Sequence, residues 1–241
     1  VANSVVEAAR DGRTAVVATA GATLGLLAFA ADFVAGAAGQ VLIAVVSSGF
    51  AWGLAAVLVG RSAATARRAA IEATRLLVLA TLLYYLLVLV VSRRWSGGYL
   101  EDGTSADLLG LRSVAVMTAA WLAGAVVAGP ILGMLGHVVR VGTTSLAAGA
   151  AGGLCGLLSG EGWQALVLAP PWQLLAVTDP HHAQFVRGVL AGQVVKIGLP
   201  IVVLAWLATT RRLWRAWPML LIAAVSCGAL SAVLWHVLYV A

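Results

Sequence analysis

A chain of 241 residues, 62% hydrophobic and 10% charged with a mean hydropathy of +1.00, carries too little charge for a soluble domain, where about 25% is usual. Its formal net charge of +6 and pI near 10.2 do not indicate a nucleic-acid partner. The arginines fall in short clusters between apolar runs, as in cytoplasmic loops, and no basic patch is interleaved with aromatics. The composition leaves an all-α, polytopic transmembrane helical bundle, a single domain over 1–241, with about seven spanning helices.

Val1 to Arg13 reads as a short polar lead rather than a cleavable signal, because the apolar run behind it passes into further spans without a clear cleavage site. The runs then follow in order: Ala15 to about Val34, Val41 to Gly60, Leu76 to Ser92, Ser113 to about Gly136, Ser145 to about Ala169, Gly188 to Thr210, and Trp217 to Tyr239. Each is close to the roughly 20 residues needed to cross a hydrocarbon core. Lipid offers no partner for a free backbone amide or carbonyl, so each run is expected as a helix. The Gly- and Ala-rich fifth run is the least regular, and Pro130 and Pro200 are expected to kink their spans.

Alternate gaps place Arg10, Arg13, Arg61, Arg67, Arg68, Arg75, Arg140, Arg211, Arg212 and Arg215 on one side, and Arg93, Arg94, Arg112 and Arg187 on the other. That bias predicts a cytoplasmic N-terminus in a bacterial inner membrane. Trp95, Trp163 and Trp172 would mark the outer interface, and Trp206, Trp214 and Trp217 the inner one. Gly21 and Gly25, Gly129 and Gly133, and Gly149, Gly153, Gly156 and Gly160 give small-residue faces that let helices approach closely. Cys155 and Cys227 lie inside apolar runs and read as small buried residues.

Ionisable residues within apolar runs are functional candidates by default, because a charge there is costly. Asp32 lies near the outer end of the first run, Glu161 towards the outer end of the fifth, and Lys196 well inside the sixth. Lys196 is the only lysine against fourteen arginines, and a charge at the bilayer centre costs about 2.5–3.5 kcal/mol unless it is paired or neutralised. A cluster of Asp32, Glu161 and Lys196 in the outer half, with Gln193 one turn from the lysine, is the expected site. Glu161 is its expected centre, since Gly160 and Gly162 allow close approach to the backbone. His181 and His182, after Asp179 in an outer loop, are adjacent and make a weak metal signal, so no metal site is assigned. His236 sits near the outer end of the last run. Tyr84 and Tyr85 need partners for their hydroxyls.

The segments Gly49-Phe-Ala-Trp-Gly-Leu, Val59-Gly-Arg, Tyr84-Tyr85, Ala128-Gly-Pro-Ile-Leu-Gly and Leu158-Ser-Gly-Glu-Gly resemble an uncharacterised family of small multi-spanning membrane proteins of high-GC bacteria. That resemblance implies a topology and no activity. In shape the chain is also similar to small seven-helix membrane terpene cyclases. Those carry an acid in their last helices, whereas nothing after Asp179 is acidic here.

Two functions compete. The first is an intramembrane enzyme acting on an apolar, isoprenoid-like molecule by acid-initiated cyclisation. Glu161 or Asp32 would be the acid, and Trp52, Trp121, Tyr84 and Tyr85 would line the pocket with Gln193 and His236. It would need no cofactor, and the lack of an NDxxD-type motif disfavours diphosphate chemistry. The second is a ligand-binding module, a carrier or the substrate-capturing subunit of a transporter, using the same outward cluster. The enzyme is the leading expectation.

Overall fold

The computed structural model describes the backbone of residues 2–176 and 180–240, and the side chains of 12–176 and 185–238. The described residues contain nine α-helices and no strand: α1 (Ala2–Ala31), α2 (Gly36–Val46), α3 (Gly49–Ser62), α4 (Ala66–Leu87), α5 (Asp107–Val141), α6 (Thr144–Leu168), α7 (Pro171–Leu175), α8 (Pro180–Thr210) and α9 (Trp217–Val240). A π-helical turn, Val88–Ser92, extends α4, and a 3-10 turn, Leu213–Ala216, precedes α9.

Among the described residues, six segments are long and apolar enough to cross a membrane: Gly12–Ala31, Gly36–Ser62, Ala66–Ser92, Asp107–Val141, Phe185–Thr210 and Leu213–Leu238. The protein is therefore an all-helical membrane protein. The segments run several residues past most of the sequence-predicted limits, because amphipathic ends such as Ala66 to Arg75 continue the helices beyond the apolar windows.

The fifth run, expected to be irregular, is a continuous helix of 25 residues, α6. It does not count among the six apolar segments, and its packing explains why. From Ala147 to Gly162 only Gly149 and Leu157 escape full burial. A helix wrapped by other helices needs small residues rather than the bulky apolar ones that face lipid. By contrast, only 11% of the most apolar stretch of α5 is buried.

Glycines set the helix spacing. A Cβ on Gly152 would lie 2.1 Å from the Leu220 carbonyl oxygen, one on Gly156 2.3 Å from that of Ala224, and one on Gly160 2.1 Å from Ser231 Oγ. The rising register makes α6 and α9 parallel neighbours in near backbone contact. Gly21 and Gly25 do the same for α1 and α4, against the carbonyl oxygens of Leu76 and Ala80. Gly133 seats α5 against Ala69. In lipid such close packing supplies the association energy that hydrophobic burial supplies in water. Around these seams Val57, Leu76, Leu132, Leu154, Leu207, Leu213 and Leu220 form one core.

Ion pairs fix the two ends. Arg13 pairs with Glu72 at 2.7 Å and donates to the Ser62 carbonyl at 3.0 Å. His137 and Arg140 both reach the Ala63 carbonyl oxygen. At the opposite end Asp32 pairs with Arg94 at 2.9 Å. The adjoining loop is tied by Asp107, which accepts from the Gly97 amide. It is also tied by Asp102, whose carboxyl the Thr104 hydroxyl and amide hold below the usual carboxylate range.

Candidate functional site

The second apolar run, expected as one span from Val41 to Gly60, is broken near its middle into two half-helices, α2 and α3, at Ser47 and Ser48. Such a break exposes backbone groups that lipid cannot satisfy, and side chains of the bundle meet two of them. The Trp52 indole donates to the Val46 carbonyl at 3.2 Å, closing the end of α2. Ser47 Oγ donates to the Ala28 carbonyl at 3.2 Å, tying the break to α1.

The start of α3 is met differently. A serine in the N-cap position ordinarily accepts from the first-turn amides. Ser48 holds that position with an extended backbone but makes no side-chain cap. The acceptor comes instead from α6, where Glu161 Oε2 receives the Gly49 amide at 3.2 Å. A carboxylate suits the positive end of a half-helix. Its other oxygen, Oε1, receives Lys196 Nζ of α8 at 2.5 Å. One carboxylate thus joins three elements, with its side chain 11% exposed and that of the lysine 22%.

Small residues make this convergence possible. A Cβ on Gly49 would sit 3.2 Å from the Trp235 ring and 3.6 Å from Glu161 Oε2. One on Gly162 would press on Ile197 Cγ1 at 2.7 Å and Lys196 Cβ at 3.1 Å. Gln193 pins the register, its amide donating to the Ala165 and Ala169 carbonyls at 3.2 and 3.3 Å. That closes the end of α6 onto α8 and keeps Lys196 level with Glu161.

Three residues near the pair in sequence each carry a buried polar atom without a hydrogen-bond partner: Ser48 Oγ, Gln164 Nε2 and Gln193 Oε1. Ser48 precedes Gly49, Gln164 lies about one turn beyond Glu161, and Gln193 about one turn before Lys196. Buried polar groups are ordinarily satisfied, so unused donors and acceptors beside an ion pair are capacity for a ligand or water.

Most of the sequence-predicted residues fall into two groups. Glu161, Lys196, Gln193 and Trp52 belong to the broken-helix site. Asp32 does not join it, because its carboxylate is held by Arg94 and by the Tyr84 hydroxyl at 2.8 Å. Tyr84 stacks edge-on against Tyr85 and Phe29, so both tyrosines belong with Asp32. Trp121 lies against Trp235 but is 40% exposed on the outer face of α5. His236 is exposed. Asp179, His181 and His182 lie outside the residues whose side chains are described.

Ser48, Gly49, Gln164 and Trp235 escaped the sequence reading. The pair Ser48-Gly49, a capping residue followed by the most permissive one inside an apolar run, is the signal that marks the break.

Two cavities accompany this arrangement. One of about 300 Å³ lies between α1 and α4, lined by Thr14, Val17, Glu72, Arg75 and their neighbours. The other, about 10 Å³, is an apolar gap among Leu54, Leu154, Leu158 and Pro200. Neither is lined by Trp52, Tyr84, Tyr85 or Trp121. Comparison with protein-family models, curated proteins and solved structures gives no match.

Proposed function

We propose that this protein binds a small polar or zwitterionic molecule within the bacterial inner membrane, as a carrier or as the substrate-capturing subunit of a larger transporter. The observation that carries the reading is the half-helix break at Ser47 and Ser48, facing Glu161 and Lys196. Unwound backbone at membrane depth is tolerated where it lines a binding cavity, and half-helix ends at the midplane are a recurrent way to hold substrates and coupling ions.

The competing reading, acid-initiated cyclisation of an isoprenoid, draws less support. That chemistry calls for a protonated carboxylic acid facing aromatic rings. Here Glu161 is paired with an ammonium group, and Tyr84 and Tyr85 pack around Asp32.

The reading carries a topology. We take Thr144–Leu168 as a seventh crossing, since α6 runs parallel to α9 over the register from Gly152 to Gly160. Seven crossings with the arginine bias place the N-terminus in the cytoplasm.

The test is ligand-dependent thermal stability of the purified chain against amino acids, betaines and small organic acids. At least one should raise the melting temperature of the wild type and not that of Lys196→Met. Turnover of a linear polyprenol that survives Lys196→Met, with no polar ligand bound, would overturn the proposal.

A further inference from the structure

The contacts of Glu161 have the form of a ligand's contacts. The Glu161 carboxylate accepts from the Lys196 ammonium and from the Gly49 amide at the positive end of α3. Ser48, which precedes Gly49, and Gln164, three residues after Glu161, each carry a buried polar atom without a partner, Ser48 Oγ and Gln164 Nε2. A half-helix N-terminus together with a cation is an anion site. In this structure the anion that fills it belongs to the protein.

Resting on the ligand-binding reading above, we infer that Glu161 is a tethered occupant of an anion site built by Lys196 and the start of α3. The ligand's own carboxylate, sulfonate or phosphate group replaces it when Glu161 takes up a proton. The exchange balances charge. One proton neutralises the glutamate, one anionic group enters, and the Lys196 ammonium keeps a counterion throughout. Without the proton, two anions would repel each other as they compete for one ammonium in a weakly screened interior. Anion binding is therefore coupled to uptake of one proton.

The charged and titratable groups on the elements packed against Glu161 are placed as follows. From α8 the charged neighbour is Lys196, with Gln193 beside it. α3 contributes the uncharged Gly49 amide, and its charged residue, Arg61, lies at the far end of that helix against Trp206. The seam with α9 presents Ser231 and Trp235, while His236 points outward. On α5, His137 and Arg140 are engaged with the Ala63 carbonyl, and Arg215 of the 3-10 turn is exposed at the same end as Arg13. Gln164 and Ser48 are uncharged.

The test uses the full chain in detergent with two probes, formate and methanesulfonate, the latter remaining ionised at all working pH values. In wild type, affinity for methanesulfonate should rise about tenfold per unit fall in pH, the slope for one proton taken up per anion. Adding it to weakly buffered protein should draw one proton from solution. Glu161→Gln keeps the shape and removes the charge, as the proton does, so it should bind formate and methanesulfonate at neutral pH with no pH dependence. The double variant Glu161→Gln with Lys196→Met should bind neither.

A wild-type response independent of pH, with no proton uptake, overturns the inference, and that measurement needs no variant to fold. So does a folded Glu161→Gln protein that ignores both anions. If a zwitterion still stabilises wild type in a Lys196-dependent way while Glu161→Gln ignores both anions, the binding site stands and the displacement alone fails.

Discussion

The Gly49 amide donates to the Glu161 carboxylate at 3.2 Å across 112 positions of sequence. That one bond gives the interrupted second span its N-terminal cap from another helix. It also places the carboxylate where Lys196 reaches it at 2.5 Å. The glutamate therefore has two duties, to cap α3 and to balance the lysine, and they separate by mutation. Removing one partner of a buried pair typically costs about 3–5 kcal/mol, because the other charge is left uncompensated. Lys196→Met should destabilise the fold by about 3 kcal/mol. The double variant with Glu161→Gln should recover at least about 1 kcal/mol of that loss, read as a coupling energy from detergent unfolding curves. Strict additivity would show that the pair does not interact in the folded protein.

The seam between α6 and α9 allows a sharper contrast. A Cβ at Gly156 would meet backbone on two sides, the Ala224 carbonyl oxygen at 2.3 Å and the Gly228 amide nitrogen at 2.5 Å. Backbone cannot swing aside as a side-chain tip can, so Gly156→Ala should force the helices apart at a cost of about 1–3 kcal/mol. Gly198, two residues after Lys196, has nothing within 4 Å of an added Cβ. Gly198→Ala should be neutral, or stabilising by several tenths of a kcal/mol through helix propensity. Melting temperatures of the two variants, measured side by side, check the assignment of the seam.

What the sequence revealed follows from which physical costs are local. The price of an unpaired lysine in lipid is visible in a single chain; it singled out Lys196 and left Glu161 and Asp32 as its candidate partners, of which the structure gives Glu161. Helicity of the apolar runs was equally plain, as were the small-residue faces at Gly21, Gly25 and Gly156. The break at Ser47 and Ser48 was less legible, because a serine pair in an apolar run is unremarkable until a distant carboxylate caps the helix behind it. The placing of Trp121 and His236 was illegible for another reason. In a bundle surrounded by lipid, inward and outward faces are both apolar, so periodicity no longer tells core from surface. The partner of Asp32 was hidden because Arg94 approaches from a segment 62 positions away.

Topology is open to direct measurement. Ala64 lies exposed between α3 and α4, and Glu101 lies exposed in the loop before α5. With Cys155 and Cys227 replaced by serine, an impermeant thiol reagent applied to intact cells should label Glu101→Cys and spare Ala64→Cys. Permeabilised cells should label both. Labelling in the reverse order would place the N-terminus outside and invert the proposed topology.

Asp32 and Glu161, the two acids expected at the site, differ in what holds them. Asp32 sits beyond the last turn of α1, held by Arg94 and Tyr84, and its pair fastens α1 to the end of α4. Arg94 is 43% exposed at its side chain, so the ion pair is partly screened and contributes modestly. The hydrogen bond from Tyr84 to the carboxylate adds about 1.5–3 kcal/mol, the range for a bond to a charged group. Asp32→Asn and Tyr84→Phe should each lower stability by about 1–2 kcal/mol, with non-additive effects in the double variant because they remove the same contact. Neither substitution touches the Lys196 pair, so the pH-dependent response to methanesulfonate should survive both. Glu161→Gln should abolish that pH dependence. Should Asp32→Asn abolish it and Glu161→Gln leave it intact, the proton-coupled group would be the one at the end of α1, and the broken helix would be only a packing device.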